Sequence, residues 1–66
     1  MNRAATTTAM GECAAALLSM ARQLERNAGD PVDAISADML NWAGEARVYA
    51  GACIAAINHI NGVSPE

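Results

Sequence analysis

The seven residues "NAGDPVD", positions 27–33, decide how this 66-residue chain is read. Gly29 suits the left-handed backbone position that closes a helix, and Asp30 suits an N-cap. Pro31 suits the first helical position, and Asp33 places an acid in the first turn. A helix stop thus runs directly into a helix start. The connection is short, and a short connection leaves neighbouring helices antiparallel.

Periodicity on either side agrees. Before the turn, Met10, Cys13, Leu17, Met20 and Leu24 recur at alternating steps of three and four. After it, Val32, Ile35, Met39, Trp42, Ala46, Tyr49, Cys53, Ala56, Ile60 and Val63 keep the same alternation without a break, which predicts helix. Gly62 and then Pro65 supply a stop. The expected architecture is all-α, a single helical-hairpin domain over residues 1–66, with a helix at about 5–28, a turn at 29–30 and a helix at about 31–61. No strand pattern, internal repeat or low-complexity tract competes with it.

Folding at Gly29 and Asp30 brings residues whose numbers sum to about 59 to one height, so that Leu17 lies near Trp42, Met20 near Met39, Leu24 near Ile35 and Met10 near Tyr49. In that register Cys13 and Cys53 miss each other by some seven residues, about 10 Å of rise, too far for a disulfide. Both cysteines read as small buried hydrophobes. The second helix also outruns the first, leaving Ile57, Ile60 and Val63 without cover from the same chain. Its other side carries Ala37, Leu40, Gly44, Val48, Gly51 and Ala55, uncharged where a solvated face is normally charged. Leu40, Gly44, Val48, Gly51, Ala55, Ile57 and Ile60 are therefore expected at an interface with another copy or a partner protein. A chain this short buries little surface by itself, and a dimeric four-helix bundle of two hairpins is the simplest closed solution.

Composition narrows the function. The chain is 53% hydrophobic but 3% aromatic, with no Phe, so its apolar mass is largely Ala. The net charge of −3 argues against a general nucleic-acid surface. Thr6, Thr7, Thr8 and Glu12 interrupt any signal-peptide core, and Asn58, His59 and Asn61 cut the uncharged run after Arg47 short of a membrane span. A cytoplasmic protein with no membrane partner is expected. His59 is the sole histidine and reads as a capping or surface residue. The acids Glu12, Glu25, Asp33, Asp38 and Glu45 are scattered rather than paired at metal-ligating spacing, and no glycine-rich phosphate loop follows a strand. No catalytic residue, metal or cofactor is expected. Arg22 and Arg26 suit the dipole at the end of the first helix. Arg47 stands among Ala43, Gly44, Ala50 and Gly51, with Tyr49 nearby. There it can fork onto a carboxylate or phosphate once an oligomer surrounds it, snorkel to solvent, or pair with Glu45 or an acid of another subunit.

The segment "WAGEARVYAGACIAAINHI", residues 42–60, resembles the C-terminal half of the phage helical-hairpin proteins that act as sponges for cyclic nucleotide signals in bacterial anti-phage defence, the anti-CBASS and anti-Thoeris hairpins. The likeness lies in the Trp42, Ala46, Arg47 spacing, in Cys53, in the run Ile54 to Ile57 with Asn58, and in the proline soon after the helix. Gly51, Ala52 and Ile54 depart from the acidic or amide and bulky residues found there in the family. The resemblance implies oligomerised hairpins that enclose the signal molecule between subunits without hydrolysing it. It implies Arg47 and Asn58 as ligand contacts, and Tyr49 beside Arg47 is a third candidate.

Three functions are thus expected in order. The first is a non-catalytic, oligomeric regulator or inhibitor of the phage-accessory kind that binds a host protein stoichiometrically. The second is a sponge for cyclic nucleotides. The third is an RNA-binding two-hairpin bundle, which borrows architecture alone and runs against the charge.

Overall fold

The computed structural model describes residues 2–29 and 33–63, and among them the chain is two helices packed against each other. Helix α1 spans Arg3–Ala28 and helix α2 spans Ala34–Gly62. Together they form a rod with principal extents of 55 × 14 × 13 Å. The all-α hairpin is the expected one.

Each helix begins where a side chain can take up its first free N–H groups. Asn2 accepts a hydrogen bond from the Ala5 amide at 3.0 Å, so α1 starts at Arg3, ahead of the expected start at about residue 5. Asp33 accepts from the Ser36 amide at 2.8 Å and is the N-cap of α2. This corrects the expectation that Asp30 caps and Asp33 lies inside the first turn; Asp30, Pro31 and Val32 themselves lie outside the described residues. Gly29 ends α1 at φ 58°, the one positive φ among the described residues, in a region that side-chain-bearing residues rarely enter. At the far end Gly62 is still helical, and Val63 caps α2 by donating its N–H to the Ile60 carbonyl at 3.3 Å. Pro65 lies outside the described residues.

The cross-helix register differs from the expected one, and the three-residue later start of α2 accounts for only part of the difference. Arg3 Nη1 donates to the Val63 carbonyl at 2.8 Å, and a Cβ placed on Gly11 would meet Ile57 Cδ1 at 4.0 Å. Residues at one height therefore have numbers summing to about 66, two helical turns from the expected register. Two corrections follow. Ile57 lies beside Gly11 of α1 and Ile60 is half-buried, so of the three residues expected to be uncovered only Val63 remains exposed, with Arg3 of α1 reaching its carbonyl. Cys13 and Cys53 come to the same height; both thiols are free, Cys53 is half-buried and Cys13 is exposed rather than buried.

Alanine lines the seam. Among the described residues the buried ones are Ala14, Ala21 and Ala28 of α1 and Ala43, Ala46 and Ala50 of α2, with Leu17 and Leu24 packed against Ala21, Ala43 and Ala46. Three α1 alanines at a spacing of seven, alternating with half-buried Met10, Leu17 and Leu24, make a strict three-four repeat. On α2 the stripe runs Met39, Ala43, Ala46, Ala50, Cys53, Ile57, Ile60. The expected stripe lay one position to the side of this one. Leu17, Leu24 and Ala46 belong to the core as anticipated, whereas Met20, Trp42 and Tyr49 stand out of it, 47%, 52% and 62% exposed.

Candidate functional site

Beside the alanine seam the hairpin carries its largest side chains on its outside. Leu17, Met20 and Leu24 of α1 and Trp42, Glu45, Ala46 and Tyr49 of α2 line an open groove of about 420 Å³. A second depression of about 340 Å³ continues along α1 through Cys13, Ala16, Leu17 and Met20. The same side of the rod bears Ile35 near the turn and Val63 at the far end, 68% and 43% exposed. Trp42 and Tyr49 are seven residues apart, two turns, so their rings project in nearly the same direction one above the other. The expected pairing of Leu17 with Trp42 survives in altered form, as two walls of one groove rather than as a buried seam contact.

The opposite flank is held by charge. Arg47 forks onto Glu25 of α1, with Nε donating to Oε2 at 3.3 Å and Nη2 donating to Oε1. Neither Glu45 nor an acid of another subunit is needed to pair Arg47: Glu25 of the chain's own first helix, which the sequence reading did not consider, takes it. The guanidinium holds the Glu25 carboxyl below its ordinary value, and the carboxylate raises Arg47 in turn. Backbone donation by the Ser36 amide likewise holds Asp33 below its ordinary value.

The residues expected to bind a ligand are not gathered by one hairpin. Arg47 and Tyr49 are about 200° apart around α2, on opposite flanks, and Asn58 shares the Arg47 side but lies about 16 Å along the axis from it. Of the expected interface residues, Gly44, Val48, Gly51 and Ala55 are exposed on the outer side of α2, and Leu40 is half-buried at the edge of the Arg47 flank. No heavy atom outside the helix's own backbone lies within 4 Å of a Cβ placed on Gly44 or Gly51. Ile57 and Ile60 belong to the seam. Sequence reasoning placed Met20, Trp42 and Tyr49 in the hairpin seam and so missed them as a surface. The signal that separates the two is the alanine heptad Ala14, Ala21, Ala28, which satisfies the seam without them.

Among the described residues no three histidine, cysteine or acidic side chains come together as a metal site, and no helix is long and apolar enough to cross a membrane. No family model, curated protein or solved structure matches the chain.

Proposed function

We propose that the chain is a non-catalytic, self-associating helical hairpin that acts by stoichiometric binding to a partner protein, as a small regulator or inhibitor does. The observation that carries this reading is the inversion of side-chain size. The buried residues are six alanines, while Met20, Ile35, Trp42, Val48, Tyr49 and Ile54 are exposed. Burying a methyl is worth about 0.8 kcal/mol and burying a Trp- or Leu-sized side chain about 1.5–3 kcal/mol, so the hairpin leaves its larger hydrophobic gain to be realised between molecules. Helix-in-groove recognition uses apolar anchors at such spacings.

This reading ranks above nucleotide sequestration because Arg47, the anion-binding candidate, is already engaged by Glu25. It ranks above RNA binding because Arg3 and Arg47, two of the four cations, are spent on contacts within the chain. Native mass spectrometry of protein purified gently from its host background tests it. A complex with a second protein in fixed ratio, lost in Val48→Glu on the outer side of α2, is the expected result. Bound mass of a few hundred daltons per subunit that disappears in Arg47→Ala, with no second protein present, contradicts it in favour of the sponge.

A further inference from the structure

We infer that the groove of Leu17, Met20, Leu24, Trp42 and Tyr49 is the docking face for a second copy of this chain, which packs its own groove against it to close a four-helix bundle. The interface expected from sequence lay instead on the outer side of α2. The structure moves it to the side of the rod where both helices contribute large apolar residues.

Area supports a second hairpin as the occupant. The chain has a solvent-accessible surface of 4660 Å², whereas a compact monomer of its 6.8 kDa mass exposes about 4,000 Å². The excess of roughly 700 Å², counted over the whole chain, is surface that a compact fold of this mass would bury, and it is of the order of the approximately 800 Å² that each partner contributes to a standard stable interface. Dimensions agree. A rod only 14 × 13 Å across has a single layer of side chains between its helices, and a second rod laid along it creates the enclosed core that one hairpin lacks.

Charge sets the arrangement. The groove floor is uncharged, and its α2 edge carries Glu45, with Asp38 exposed two turns before it. The α1 edge carries the neutral Gln23 and Asn27. Packing α2 beside α2 of the second copy would oppose acids with acids, so α2 of each hairpin lies beside α1 of the other, as a two-fold, self-complementary interface permits. The inference is independent of which partner protein the dimer goes on to bind.

Light scattering on the size-fractionated full chain, with thiol labelling of Cys13 in a Cys53→Ser background, tests it. The expected mass is that of a dimer, with Cys13 labelling slowed as the protein concentration rises. Trp42→Glu and Met20→Glu, on the two walls of the groove, each weaken association by at least about tenfold, as loss of a central anchor does. Val48→Glu, at a more exposed apolar position on the outer side of α2, keeps the dimer whether or not the groove variants remain helical as monomers. A monomeric wild type overturns the inference, as does an oligomer that survives both groove variants or is lost in Val48→Glu. Protection of Cys13 in a monomeric chain only when host extract is added gives the groove to a foreign helix and overturns it equally.

Discussion

The inside of the hairpin and the groove beside it divide the apolar residues by size. Inside, Ala21 of α1 meets Ala43 and Ala46 of α2, with Ala14, Ala28 and Ala50 buried along the same seam, and small methyl groups let two backbones approach closely. Outside, Leu17, Met20 and Leu24 face the rings of Trp42 and Tyr49 across an open channel. The seam is complete within one chain and fixes where the helices sit. The groove is open along the rod, and in the proposed dimer it is the surface for association. In most small domains the largest side chains do the first task, whereas here alanines do it and the largest side chains stand exposed.

The contrast can be broken most severely from the inside. Ala21→Leu or Ala43→Leu forces a branched side chain between helices spaced for methyl groups. Thermal unfolding should show destabilisation of about 1–3 kcal/mol or more, with the largest loss in the double variant. If either leucine is neutral or stabilising, the seam is not the close-packed element described. From the outside, Tyr49→Ala should leave the helical content of a dilute sample unchanged while weakening association, seen as a lower apparent mass at the same loading.

Smaller changes sharpen the comparison. Gly44→Ala and Gly51→Ala meet open space in the hairpin, and each should raise helix stability by up to about 1 kcal/mol by removing a glycine from a helix interior. A gain in helicity accompanied by loss of partner binding would assign these two glycines to the partner contact. The least effect is expected from the Glu25–Arg47 pair, whose side chains are both partly exposed. Because the folded-state pKa of Glu25 lies below its ordinary value of 4.5, its contribution is fully present above that value and is lost as pH falls through the folded value. Glu25→Gln should flatten the acid limb of the stability profile slightly and leave neutral pH almost untouched at high salt.

The fold was legible because its two strongest signals are local. Gly29 and the residues after it read as a break, and three-four periodicity on both sides reads as helix without any knowledge of what packs where. The register was not legible. It depends on where α2 begins and on how its first turn sits past the end of α1; Asp30 and Asp33 are equally good caps on paper, the later one moves the start by three residues, and the remainder of the two-turn shift is set by which residues pack across the seam. The seam was misplaced for a different reason. In a chain this rich in alanine, a buried Ala21 and an exposed Ala15 look alike, so periodicity follows Trp42, Met20 and Tyr49, which mark the edge of the apolar surface rather than its buried centre. Arg47 was recognised as unusual from its neighbours, but its partner Glu25 is 22 residues away and becomes adjacent only in the folded register.

Trp42 is the only tryptophan in the chain, so its fluorescence reports on the groove alone. Emission and quencher accessibility measured across a wide dilution series test the central claim most directly. The account predicts a solvent-exposed indole at low concentration that shifts to the blue and becomes protected as protein is added, in step with association. An indole already blue-shifted and protected at the highest dilution, or one that stays exposed at every concentration in a fully helical chain, would contradict it.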